Sequence, residues 1–319
     1  MKSIKIVTIA MALSFGLRAG ERVAVLDVEV RNAVIYRYDV ADPSQVASTA
    51  APTPTTLNNA FTDFCQLGDI VSVNGKPARG LHMTCATRMG FSPTAAPGFA
   101  IADVTQGGGR QECNWQLHTA DGRFVGRLVD GGFAPHAVQG GAGAYLGATG
   151  EHVSAGISPV RVASVVEDPS RRRANGGGSY RVTFYLIPKF WPEVVLLPEG
   201  GPAIFHGDDF SKPVNAANPA RPGELLVMVA KGLGPTLPGP TPPGTRLFSG
   251  APPYNEVSSA LEITVNGVEA DVIGKIGWPG TRDMYRVDFR LPSGTAAGEA
   301  SLQLTSAWIP AEEVRISVQ

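Results

Sequence analysis

Apolar and polar positions alternate with a period of two along much of the chain. Between Arg22 and Val40, the residues Leu26, Val28, Val30, Val34, Tyr36 and Tyr38 share one parity, and Asp27, Glu29, Arg31 and Arg37 fall on the other. A strand with one buried and one wet face produces this pattern. Asp69–Val73 and Gly80–Arg88 flank Asn74-Gly75, a dipeptide that supplies the positive-φ turn of a hairpin. Gly98–Thr105, Gln111–Thr119, Arg123–Val129, Val160–Glu167 and Ser179–Ile187 continue the series, with glycine-rich turns between them. Pro188, Pro192, Pro198 and Pro202 then interrupt any regular ladder. A second set follows over Gly223–Ala230, Leu261–Val265, Val268–Ile273, Tyr285–Leu291, Ala300–Ala307 and Val314–Val318. No helical period separates these runs, so the chain is predicted to be antiparallel β, its second set a small sandwich.

Composition narrows the function classes. Of 319 residues 17% are charged and the net charge is −1. That leaves no electrostatic footprint for nucleic acid or an anionic membrane surface. The densest basic run, Arg171-Arg172-Arg173, sits beside glycines and reads as a solvated loop. At the start, Lys2 and Lys5 precede the apolar run Ile6–Leu17, and Ala19-Gly20 offers small residues for cleavage. This is the layout of a secretory signal peptide, although Leu17 stands where a small residue is usual. It predicts a secreted, periplasmic or cell-surface protein. No other stretch has the roughly 18 apolar residues of a membrane helix, so no membrane span is expected.

The 3 cysteines and 5 histidines show no CxxC, HxxxH or HExxH spacing, so no metal site or other cofactor is predicted. An oxidising compartment permits one disulfide. A three-residue loop Asn74-Gly75-Lys76 sets Val73 opposite Pro77 and Cys65 opposite Cys85, within reach of a bond, so a Cys65–Cys85 disulfide is expected with Cys113 left as a buried thiol. A two-residue Asn-Gly loop would set Cys65 opposite Thr84 instead, and three reduced, buried thiols are the remaining alternative.

Two segments resemble known families. Asp121–Gly126, Pro135–Val138 and the run GGAGAYLGATGE over Gly140–Glu151 resemble the allene oxide cyclase and dirigent barrel superfamily, where G-G-T-G-x-[FY]-x-G-A-x-G leads into a late barrel strand. Ala142 stands in place of the usual Thr. Glycines at this spacing permit bulges and bends, and Tyr145 can lie over the gap they leave. The second segment combines Pro222-Gly223-Glu224-Leu225, Gly232-Leu233-Gly234-Pro235-Thr236 and Val265-Asn266-Gly267. It is similar to the immunoglobulin-like (IPT/TIG-like) C-terminal domain of acidobacterial exported proteins, which implies display or association rather than catalysis. With these resemblances the expected fold is all-β: an antiparallel up-and-down β-barrel of about eight strands, then an immunoglobulin-like β-sandwich. The expected boundaries are a signal peptide over 1–19, the barrel over 20–188, a Pro-rich linker over 189–202 and the sandwich over 203–319.

A barrel of this size is filled by side chains or holds one small ligand. Candidate pocket residues are Tyr36, Trp115, Arg127, His136, Tyr145, Glu151 and Tyr185. Trp115 shares parity with Cys113 and Leu117, so it faces an apolar volume, either a lumen or a packing contact. No G-x-S-x-G or other catalytic signature occurs, and the resemblance transfers no catalytic residue. Two readings stand. In one, the barrel binds a small apolar ligand or a partner, with association of copies through the barrel. In the other, a cyclase- or dirigent-like barrel steers ring closure of a reactive molecule by confinement.

Overall fold

The structure is a computed structural model that describes residues 22–37, 57–58, 64–88, 90–91, 109–131, 136–164, 166–207, 209–239 and 245–319. The signal-peptide segment and the strand expected over Gly98–Thr105 lie outside the described residues.

The first unit contains β1 (Ala24–Arg37), β2 (Leu57–Asn58), β3 (Phe64–Val73), β4 (Lys76–Arg88), β5 (Gly90–Phe91), β6 (Gly109–Thr119), β7 (Phe124–Gly131), β8 (His136–Gly143), β9 (Thr149–Ser158), β10 (Arg161–Ser164) and β11 (Gly178–Ile187). The sheet runs β1-β11-β9-β8-β7-β6-β4-β3, and β3 pairs back onto β1, closing an antiparallel barrel of eight strands. Closure removes both sheet edges. β10 adds a parallel strand to the C-terminal part of β1, and β2 pairs with β5 alone.

Two of the barrel's bulges set facing in β1 and register between β3 and β4. In β1 the register shifts around Asn32, whose φ is 52°. Leu26, Val28 and Val30 point into the barrel core, whereas Val34 and Tyr36 join a separate cluster with Ala163. One inserted residue reverses facing because the side-chain period is two. The second bulge lies between Ile70 and Ser72. The hairpin turn is the two-residue Asn74-Gly75, with Val73 opposite Lys76, yet the bulge advances the register and Cys65 lands opposite Cys85. The Cys65–Cys85 disulfide is present and Cys113 is a buried free cysteine. The expected pairing holds, but a bulge supplies the residue that the longer loop was meant to supply.

The arginine run forms a short 3-10 helix over Pro169–Arg173. Arg173 donates from Nε to Asp69 Oδ2 at 2.7 Å, Asn32 donates to the same oxygen at 2.9 Å, and Arg172 donates to Oδ1. The run is therefore a clamp on a buried carboxylate rather than only a solvated loop.

The second unit comprises β12 (Glu193–Val194), β13 (Ile204–His206), β14 (Asp209–Pro213), β15 (Leu225–Lys231), β16 (Thr236–Leu237), β17 (Glu256–Val257), β18 (Leu261–Val265), β19 (Val268–Glu269), β20 (Asp271–Gly277), β21 (Met284–Arg290), β22 (Gly298–Ser306), β23 (Ile309–Pro310) and β24 (Val314–Val318). One sheet is centred on β15 and β21, the other on β18 and β22. Their inner faces share a core that includes Met228, Val287 and Phe289 from the first and Ile263, Leu302 and Ile316 from the second. This is the expected sandwich. The segment expected as a linker is structured: Glu193 and Val194 pair with Lys231 and Ala230.

The units meet where the β22–β23 hairpin enters one end of the barrel. Its tip, Ala307-Trp308, belongs to the barrel core together with Ile309. Tyr145 donates from its hydroxyl to Ala307 O at 3.2 Å, and Asn74 donates from Nδ2 to Trp308 O at 3.3 Å. Ion pairs Lys76–Glu262 and Arg123–Glu256 flank this contact. Among the described residues no helix is long and apolar enough to cross a membrane.

Candidate functional site

At the other end the barrel holds a half-open cavity of about 280 Å³, walled by Gln66, His82, Thr84, Trp115, His152 and Tyr180 among others. Strands β4 and β9 turn polar side chains inward here. On β4, His82 and Thr84 are buried while Met83 between them is exposed. On β9, His152 is buried and the apolar Val153 and Ile157 face solvent. Closure imposes this inversion, since β6 and β11 fill the core with Cys113, Trp115, Leu117, Val182 and Phe184 and leave the remaining volume for smaller polar groups.

The polar groups form a chain with one consistent direction. Thr84 Oγ1 donates to Cys113 Sγ at 3.0 Å and lies 2.6 Å from His82 Nε2. With the Thr84 proton committed, His82 must carry its own proton on Nε2, and Nδ1 then accepts from the Tyr180 hydroxyl. Burial pushes the His82 pKa down to about 3, with His152 and His136 adding to the shift and Asp130 opposing it. His82 is thus neutral at physiological pH, as this tautomer requires. Its ring stacks on Trp115 at 3.8 Å between centroids. Burial raises the pKa of Tyr180, so its hydroxyl stays protonated.

Beneath Trp115 lies Asp130, which is 1% exposed. Trp115 Nε1 donates to Asp130 Oδ2 at 2.6 Å, and His152 Nε2 is 3.0 Å from the same oxygen. Burial works to raise the Asp130 pKa, but His152 beside it and hydrogen bonds from Cys113 and Trp115 hold it below the usual carboxylate value. His136 and His152 are directly opposed across the β8–β9 ladder and their rings stack at 4.7 Å. Each of Asp130, His136 and His152 offers a ligand atom, and these atoms lie within 4.8 Å of one another. Spacing along the chain gave no hint of this group, because β-ladder register and not sequence proximity brings it together.

Of the residues expected at a pocket, Trp115 and His136 line the cavity. Tyr36 does not, because the Asn32 bulge turns it into the outer cluster. Tyr145 is buried at the plugged end, packed where Gly126 leaves room: a Cβ on Gly126 would come within 2.6 Å of the Tyr145 ring. Arg127, Glu151 and Tyr185 are exposed on the barrel's outer wall. Sequence reasoning missed His82, Asp130, His152 and Tyr180. The available signal was Asp130 on the parity of Leu128, obscured because Val125 and Val129 make the opposite parity equally apolar.

No family model matches the chain, and no curated protein matches it either.

Proposed function

We propose that the barrel is a receptacle for a small, planar molecule bearing hydrogen-bonding groups. The observation that carries this reading is the cavity of about 280 Å³, at the small end of ligand pockets and suited to a single-ring compound. Trp115 and Val182 offer apolar contact, while Thr84, Tyr180 and the imidazoles can fix orientation. A wholly apolar ligand would leave the buried ring nitrogens of His152 uncompensated, so a mixed ligand fits better. The sandwich serves as the barrel's stopper as well as an association module. Lys2, Lys5 and the run Ile6–Leu17 support export, as does the Cys65–Cys85 disulfide.

The test is native mass spectrometry of the full chain purified from its producing cells, beside a Gly156→Phe variant. Gly156 lines the cavity, and a Cβ there meets nothing within 4 Å, which leaves room for a larger side chain at the cavity wall. A co-purifying small molecule lost from the variant is expected. A ligand retained by Gly156→Phe, or a wild-type protein that carries none and binds no simple phenol, would overturn the reading.

The glycine run Gly140–Glu151 and the chain Tyr180–His82–Thr84 favour a second reading, confinement of a reactive intermediate during ring closure. A stereochemically random product with and without the protein would rule it out.

A further inference from the structure

We propose that Asp130, His136 and His152 bind one divalent first-row transition metal at the edge of the cavity, leaving coordination positions open toward it. The inference stands apart from the identity of any organic ligand.

Three neighbouring strands supply the donors: β7, β8 and β9. The ladder puts His136 directly opposite His152, and Asp130 pairs with Val138, which follows His136 on the same strand. The donor atoms already lie within 4.8 Å of one another. Metal–nitrogen and metal–oxygen bonds of about 2.0–2.2 Å bring ligand atoms to roughly 3–3.5 Å apart. Closing the difference takes a small rotation of His136, which is half-buried and begins its strand.

A second observation points independently to a ligand. His152 is 3% exposed, yet neither of its ring nitrogens makes an aligned hydrogen bond. Nε2 is 3.0 Å from Asp130 Oδ2 but is not aimed as a donor to it. Asp130 Oδ1 is also buried and receives no N–H or O–H donor. Buried polar groups are ordinarily satisfied, so unsatisfied imidazole and carboxylate atoms within one cluster of potential ligands call for a further partner such as a cation. The Trp115 indole, donating to Asp130 Oδ2 at 2.6 Å, supplies the outer hydrogen bond that orients a ligating carboxylate.

The donor set selects the metal class. Two imidazoles and one carboxylate suit Zn²⁺, Fe²⁺, Co²⁺ or Mn²⁺, whereas Ca²⁺ and Mg²⁺ favour oxygen-rich shells. Three protein ligands leave at least one position free, and His136 and His152 both border the cavity. A bound water or a ligand oxygen entering the barrel would meet the metal there.

The test is titration of the chelator-treated full chain with CoCl₂, followed by visible absorption and calorimetry. One Co²⁺ per chain is expected, with a dissociation constant on the order of micromolar, d–d bands of a low-symmetry N/O site, and displacement by Zn²⁺. His136→Ala should weaken binding by on the order of 100-fold while far-UV circular dichroism is unchanged, and Asp130→Asn should do the same. If Asp130→Asn fails to fold, the half-buried His136→Ala still decides. His206→Ala, which removes contacts with Glu224 and the Asn218 carbonyl in the second unit, should leave binding intact. No binding at millimolar Co²⁺, binding unaffected by His136→Ala, or binding lost in His206→Ala would overturn the proposal.

Discussion

Replacing Trp308 tests how the sandwich and the barrel depend on each other. Trp308 is 5% exposed and belongs to the barrel core although it is carried by a hairpin of the second unit. Its φ is 61° and that of Ala307 is 52°, so both turn residues are left-handed. The comparable turns at Asn74-Gly75 and Asn266-Gly267 use the pair that adopts this conformation most easily. Here two residues with costly left-handed backbones, about 1–2 kcal/mol each, are retained, and burial of the indole is what offsets them. Truncation of a buried Trp costs about 3–5 kcal/mol. At the usual sensitivity of a domain of this size, Trp308→Ala should lower the melting midpoint by roughly 6–20 °C. Trp308→Gly removes the same ring but also relieves the left-handed strain by about 1 kcal/mol. Differential scanning calorimetry of the full chain should therefore rank wild type above Trp308→Gly, and Trp308→Gly at or above Trp308→Ala. A loss under about 2 °C for Trp308→Ala, or a glycine variant clearly less stable than the alanine one, would refute the plug and its strain. The same reasoning predicts that the barrel alone, residues 22–188, melts below the intact chain.

Three further outcomes are expected. Gly126→Ala should cost about 1–3 kcal/mol in urea denaturation by overpacking, because the new methyl would come within 2.6 Å of the Tyr145 ring; a neutral result would mean that the ring can move. Cys65→Ser with Cys85→Ser should lose about 3 kcal/mol, the chain-entropy value for a separation of 20 residues, and non-reducing peptide maps should show Cys65 linked to Cys85 with Cys113 blocked only after unfolding. Asp69 is a pH test: burial acts to raise its pKa, but hydrogen bonds from Arg173 and Asn32 and the charge of Arg172 bring the net value below that of a free carboxylate. A group depressed in this way stabilises the fold fully above its unfolded pKa of about 4 and ceases to do so as pH falls through its folded value. Asp69→Asn should consequently destabilise at neutral pH and flatten the acid limb of the stability profile, and an unchanged acid limb would remove the clamp from the account.

Strand type and unit order were legible because period-two alternation and Asn-Gly turns report local backbone geometry directly. Gln111–Thr119 illustrates this, since Cys113, Trp115 and Leu117 are buried on the parity their spacing assigns. Facing failed in β1, where a bulge intervenes. The inserted residue is marked only by an asparagine inside an otherwise regular strand pattern, so Tyr36 reads as an inward neighbour of Val30 when it lies in another cluster. The disulfide shows the same limit from the other side. Cys65 meets Cys85 because the Ile70–Ser72 bulge compensates for a turn one residue shorter than the register argument assumed.

The site was obscure for a different reason. Alternation identifies buried faces by their apolar character, and at the cavity the inward residues are the polar ones. Met83, Val153 and Ile157 are exposed while His82, Thr84 and His152 are buried, so a hydrophobicity rule assigns β4 and β9 the wrong way round. A barrel has room for this inversion only where its volume is not already filled. The opposite end is occupied by Tyr145 and Trp308, and there the inward residues are apolar or glycine. The plug and the polar cavity are thus complementary consequences of one closed sheet: sealing one end with aromatic rings leaves the other as the place where imidazoles, a phenol and a carboxylate can share an enclosed space.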